Sequence, residues 1–166
     1  MSRLDSMLRR LTAQRDGLNW AANQIAGREG DVLDMGLGNG RTYDHLREIL
    51  PDRRIWVMDR ALQCHPSCVP PAQDFLQGEA EPMLQKLASM GRRIILAHYD
   101  FGRGIKAEDV AEAARLSPLI SKVMLPDGLL ISGQPLVGLD QIKGPETIAP
   151  DRYLFYRAGS GDTLPT

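Results

Sequence analysis

Three groups of residues in this sequence stand where chemistry could be done. The first is Asp34 with Gly36, Gly38 and Gly40, an acid followed by glycines at every second position. Glycines so spaced leave bare backbone, and a ligand can lie against it because no side chain fills the space. The second is Asp59, about twenty residues beyond the glycines, where a carboxylate can accept hydrogen bonds from both hydroxyls of a ribose. The third is His98-Tyr99-Asp100, residue types that position an acceptor or remove a proton.

The elements around these groups follow from hydrophobic patterning. Val32, Leu33 and Met35 read as the end of a buried parallel strand, the glycines as a tight turn, and Thr42, Tyr43, Leu46, Ile49 and Leu50 as a helix that Pro51 stops. Ile55 to Met58 is a second strand that delivers Asp59 to its carboxyl end, and Ile94 to Ala97 is a central strand that delivers His98, Tyr99 and Asp100. In an open parallel sheet ligands bind beyond those ends, where strand order reverses. A dinucleotide would want Gly-x-Gly-x-x-Gly, but Arg41 stands where the third glycine belongs. Asp34 would repel a pyrophosphate and helps only a ligand that brings a cation or an amine. The pattern therefore favours a cationic nucleoside, with an NAD(P)-dependent oxidoreductase as the weaker alternative.

The run Val32-Leu33-Asp34-Met35-Gly36-Leu37-Gly38-Asn39-Gly40 resembles motif I of the class I S-adenosylmethionine (SAM) methyltransferases. The resemblance extends over Asp31 to Arg157. It implies a Rossmann-like α/β fold, a doubly wound, mostly parallel sheet ordered 3-2-1-4-5 with helices on both faces. It also implies SAM as cofactor, with Asp34 near the methionine amino group, the backbone of Gly36, Leu37, Gly38, Asn39 and Gly40 along the methionyl and ribose part, and Asp59 on the ribose. Arg60 would flank the adenosine. Gly78-Glu79-Ala80 matches a Gly-Asp-Ala of the family, so Glu79 would accept from the adenine amino group. His98, Tyr99 and Asp100 are then the candidate catalytic residues, with His98 also near the cofactor. Where many relatives that methylate amines carry Asn/Asp-Pro-Pro-Tyr/Phe, this chain has His98-Tyr99-Asp100-Phe101, and no cysteine stands there for cytosine carbon methylation. A small-molecule methyl acceptor is expected. A SAM-binding sensor or partner subunit without catalysis is the alternative.

Composition agrees with one soluble domain over residues 1–166. Twenty basic against twenty-one acidic residues leave a net charge of −1, which gives no global attraction to nucleic acid or to an anionic membrane. No apolar run reaches the length of a membrane span and the first residues form no signal-peptide core, so a cytoplasmic protein is expected. A homodimer is left open. Cys64 and Cys68 bracket His65 and Pro66, but the other histidines belong to different elements; reduced cysteines are expected and no metal site.

Outside the central strands the expectations are local. Residues 1–27 read as two helices with a bend or break at Gly17 and Asp16 as cap; the first would lie near the substrate mouth. Arg9, Arg10 and Arg15 would form a basic face, read as solvated, with anion or nucleic-acid binding as the minority alternative. The prolines between Gln63 and Gln73 leave no room for a full helix, and a short strand near Phe75 to Gln77 follows. Met83, Leu84, Leu87 and Met90 make the buried stripe of the next helix, which Gly91 ends. Ala107 to Val123 is a helix that Pro118 kinks or that restarts at Ser117, and Leu125 to Gly128 is a turn before a fifth strand, Leu129 to Ser132. Breakers between Gln134 and Arg152 exclude a fifth crossover helix; Tyr153 to Tyr156 reads as a last, antiparallel strand at the sheet edge and 159–166 as a loose tail. One or two C-terminal edge strands thus extend the 3-2-1-4-5 order.

Overall fold

The computed structural model describes residues 1–159, so the expected tail lies outside the described residues save for Gly159. The chain runs α1 (Arg3–Gln24), β1 (Asp31–Met35), α2 (Arg41–Ile49), β2 (Ile55–Asp59), β3 (Phe75–Gln77), α3 (Ala80–Ser89), β4 (Ile94–Tyr99), α4 (Lys106–Val123), β5 (Met124–Ser132), β6 (Asp140–Ile142) and β7 (Leu154–Arg157). These strands form one sheet ordered β3-β2-β1-β4-β5-β7-β6. The first five are parallel, and β7 and β6 are antiparallel additions, which makes the Rossmann-like sheet with C-terminal edge strands.

Alternation along β1 assigns the two faces. Val32 packs with Leu18 and Ala21 of α1, with Ile25 just after it and with Leu46 of α2, while Leu33 and Met35 pack with Leu84 and Leu87 of α3 and Leu116 and Ile120 of α4. Both faces of the sheet are thus covered, which is why β1, β2 and β4 read as nearly continuous apolar runs. In β4 the register shifts between Ile94 and Leu96. Beyond the shift, Ala97 and Tyr99 belong to the α3 and α4 face, and His98 meets Asp34 across the sheet on the α1 and α2 face.

Several local expectations are corrected. Helix α1 runs through Gly17 without a break; a Cβ there would come within 3.3 Å of the Phe155 ring, so the glycine serves the close approach of the helix to Phe155 of β7. Asp16 caps nothing and bonds Arg15 instead. Of the two readings of α4, one helix with Pro118 inside it holds and a restart at Ser117 does not: the Ser117 hydroxyl caps nothing, donating to Ala113 O at 2.7 Å and accepting from Val137 N at 3.0 Å. Met90 is exposed. The turn at Leu125 to Gly128 is an irregularity inside β5, with Asp127 at φ 58°. Strand β7 is an inner strand, because β6 covers its outer edge. No described helix is long and apolar enough to cross a membrane.

Candidate active site

Strand order reverses at β1, whose neighbours are β2 on one side and β4 on the other. The ladder continues past the strand ends through Gly36 N to Met58 O and Asp100 N to Met35 O, both at 2.9 Å, and beyond those bonds lies a cleft of about 380 Å³. One wall is main chain from Gly36 to Asn39. Of its glycines, Gly38 has φ +49° and nothing within 4 Å of a would-be Cβ, so it presents bare backbone to the cleft. Gly36 is required for another reason, since its Cβ would meet the Asp100 carbonyl oxygen at 2.9 Å. Gly40 is away from the cleft wall: it is the N-cap of α2, and its Cβ would strike that of Cys68 at 2.4 Å. It is a packing glycine, which corrects its expected place against the ligand.

Asp59 closes this wall. Its Oδ2 accepts from Gly38 N at 3.0 Å and its Oδ1 from Arg60 N at 2.7 Å. Charge-assisted bonds of this kind fix the carboxylate and leave lone pairs on both oxygens for a ligand. Arg60, Gly78 and Ala80 continue the wall. Glu79 does not: it is exposed, and its carboxylate is held by Arg60 at 3.0 Å.

The opposite wall is made of side chains. Asp100 and Phe101 reach it from the end of β4, and Arg10, Leu11 and Gln14 from α1. The first helix does lie at the mouth of the cleft. Asp109 of α4 holds the loop after Phe101 by accepting from Arg103 N at 2.8 Å and Gly104 N at 3.1 Å.

Behind this wall runs a buried chain of hydrogen bonds. Thr42 Oγ1 donates to Asp34 Oδ2 at 2.9 Å, and Asp34 Oδ1 meets His98 Nδ1 at 2.8 Å. His98 Nε2 lies 3.1 Å from the Tyr153 hydroxyl, and Gln14 Nε2 donates both to that hydroxyl, at 2.7 Å, and to Asp100 Oδ2, at 3.0 Å. Asp34 and His98 have no exposed surface, so neither touches the cleft. The expected places of Asp34 near the methionine amino group and of His98 near the cofactor are corrected: the two side chains lie behind the wall and are committed to each other. Tyr99 is corrected as well, because alternation along β4 sends its ring to the opposite face, edge-on to Phe101, where its hydroxyl has no protein partner. Gln14, Thr42 and Tyr153 were missed by sequence reasoning, since nothing local marks them as partners.

These contacts set the acid–base character. Burial opposes a charge on His98, but the hydrogen bond and charge of Asp34 outweigh it and raise its pKa above the ordinary histidine value. Burial raises the pKa of Asp100, partly offset by His98 and Arg10. Burial, reinforced by the charge of Asp100, pushes the Tyr153 phenol well above its usual range, so it stays protonated.

The model of a family described as S-adenosyl-L-methionine methyltransferase matches residues 1–158. The chain belongs to that family. A solved S-adenosyl-L-methionine methyltransferase from Silicibacter pomeroyi is 35% identical, with a TM-score of 0.90 over 96% of this chain and 99% of that one. The antibiotic-resistance methyltransferase Kmr, 15% identical over 84% of this chain and 91% of its own with a TM-score of 0.51, shares the fold. So does a structure of a fibrillarin/Nop5p complex, at 13% identity and TM-score 0.53 over 89% and 82% of the two chains. No curated protein matches.

The site suits the cofactor of this methyltransferase family. The cleft is within the range of roughly 300–1,000 Å³ usual for small-molecule sites, Gly38 leaves its floor open, and Asp59 offers a fixed carboxylate. The chain is a SAM-dependent methyltransferase.

Proposed function

We propose that SAM is held along Gly36 to Asn39 with its ribose on Asp59 and its adenosine flanked by Arg60, Gly78 and Ala80, and that the enzyme methylates a small molecule entering on the α1 side. The observation that carries this reading is the Asp59 carboxylate, tied to Gly38 N at 3.0 Å and Arg60 N at 2.7 Å, at the edge of the cleft. A carboxylate already oriented by the protein loses little freedom when it receives a ligand's hydroxyls.

Bound SAM supplies a methyl group on a cationic sulfur, an electrophile with a good leaving group. What the chain must add is alignment and exclusion of water. Phe101 and Leu11 give the α1 side an apolar lining. Asp100 is the one member of the His98-Tyr99-Asp100 set at the cleft, and it takes the proton when the acceptor is a hydroxyl. Its raised pKa makes it a better base than an exposed carboxylate. His98 acts on it at a distance, by orienting Tyr153, which with Gln14 fixes the carboxylate. Asp34 holds His98 in turn, and by this reading it serves the cofactor's amino group only through the wall it supports.

Calorimetry with SAM and NAD side by side tests the proposal. Saturable SAM binding with no NAD binding is expected; NAD binding without SAM would overturn it.

A further inference from the structure

Next to the cleft, and sharing Arg10, Leu11 and Arg41 with it, is a second hollow of about 310 Å³. Four of its lining residues are Arg3, Arg10, Arg41 and Arg152, and none is an acid. In a chain with a net charge of −1 this is a local feature and no consequence of composition. The arginines come from three places: Arg3 and Arg10 from one face of α1, Arg41 from the start of α2, and Arg152 from the loop before β7. Only the folded chain brings them together.

Their partners, or lack of them, are informative. Elsewhere Arg15, Arg47, Arg54, Arg60, Arg93 and Arg115 meet carboxylates, and Arg28 and Arg53 donate to main-chain carbonyls. The side chains of Arg92, Arg103 and Arg157 also have no partner among the described residues, but they are scattered and do not share a hollow, so it is the clustering of the four that sets this one apart. Among the described residues the side chains of Arg3, Arg41 and Arg152 make no hydrogen bond or ion pair. Arg10 reaches Asp100 only at 3.8 Å, and that carboxylate already accepts from Gln14. Arg41 is also misplaced by local rules, since it opens α2, where the helix dipole disfavours a cation. Guanidinium groups gathered around one hollow make it favourable for an anion, and their planar fork suits carboxylate and phosphate oxygens. Met7 and Leu11 add an apolar strip beside them.

From this arrangement we propose that the hollow is the acceptor's anchoring subsite, and that the methyl acceptor is a small anion, a carboxylate or phosphate on an apolar body. The acid end would sit among Arg3, Arg41 and Arg152, and the reactive end would enter the cleft past Arg10 and Leu11. The inference rests on the proposed function for the identity of the cleft, but the anion preference of the hollow stands on its own residues.

The test uses the whole protein, first titrated with S-adenosylhomocysteine by calorimetry and then, saturated with it, with phenyl phosphate, benzoate and uncharged benzyl alcohol, followed by NMR of the arginine side chains. The two anions are expected to bind roughly tenfold or more tightly than benzyl alcohol and to weaken several-fold between about 0.01 and about 0.1 M salt, as the screening length shortens. Which anion binds more tightly separates phosphate from carboxylate. The double variant Arg3→Gln with Arg152→Gln, both outside the cleft, is expected to lose roughly fivefold or more in anion affinity and to bind S-adenosylhomocysteine as before. Equal binding of benzyl alcohol, or anion binding unchanged in the double variant, would overturn the proposal. So would a short single-stranded RNA that displaces phenyl phosphate at far lower concentration, which would mark a polyanion surface. Failure of S-adenosylhomocysteine to bind would instead remove the cofactor reading, and the same titrations without it would still decide the hollow.

Discussion

The wall of the cleft at Gly36 to Asn39 and Asp59 is main chain and near neighbours within one βαβ unit, whereas the opposite wall is side chains that meet across most of the sequence, Gln14 and Tyr153 being 139 positions apart. The first is shaped by what the residues lack, since Gly38 has nothing over it. The second is shaped by a buried polar chain in which each member needs the next. Binding of a ligand common to a whole family can be entrusted to a short motif. The proposed acceptor side instead depends on contacts that only the tertiary structure makes.

This contrast predicts that damage to the second wall appears mainly in stability and damage to the first mainly in affinity. The largest effect is expected for Asp34→Ala, which leaves His98 fully buried without its partner and Thr42 without an acceptor. Breaking a buried ionic pair from one side costs about 3–5 kcal/mol, read in urea denaturation. A loss under about 1 kcal/mol would mean that the pair does not tie the wall together. Next comes Asp59→Ala, expected to weaken SAM binding roughly tenfold or more, about 1.4 kcal/mol, with a small change in stability. Unchanged affinity in calorimetry would remove the ribose from Asp59. Tyr153→Phe deletes the hydroxyl between His98 and Gln14 and is expected to cost about 1 kcal/mol of stability with SAM affinity intact. If SAM affinity falls as well, the two walls are not separable.

The smallest effect is a pH dependence. The folded pKa of His98 lies above its unfolded value of about 6.5, so its contribution to stability is complete below that pH and is lost as pH rises through the folded value. The stability gap between the native chain and His98→Gln should therefore narrow from acid to alkaline pH in parallel urea titrations. A gap that widens would reverse the sign assigned to the Asp34 interaction.

The sequence revealed the first wall and concealed the second for one physical reason. Buried parallel strands announce themselves as apolar runs, and a glycine loop as a break in side chains, so β1, β2, β4 and the cleft beyond them could be placed from local pattern. A buried Gln14 or Tyr153 has no such signature, because its partner is set by which helix lies on which strand. Gly17 shows the same limit. As a local signal it marks a break in a helix, but in the fold it is the gap that admits the Phe155 ring. His98 and Tyr99 were legible as a pair and separable only once the sheet gave each its face.

The bond between Gln14 and Tyr153 has a consequence for synthesis on the ribosome. The chain is made in order, so the residues proposed to hold the nucleoside, the last of them Ala80, are made long before Tyr153. A chain that stops short of Tyr153 carries those residues but leaves Gln14 without the hydroxyl that helps it orient Asp100. Donor binding and catalytic competence would be completed at different moments, and arrested chains released before and after Tyr153, assayed for bound donor, would show whether that interval exists.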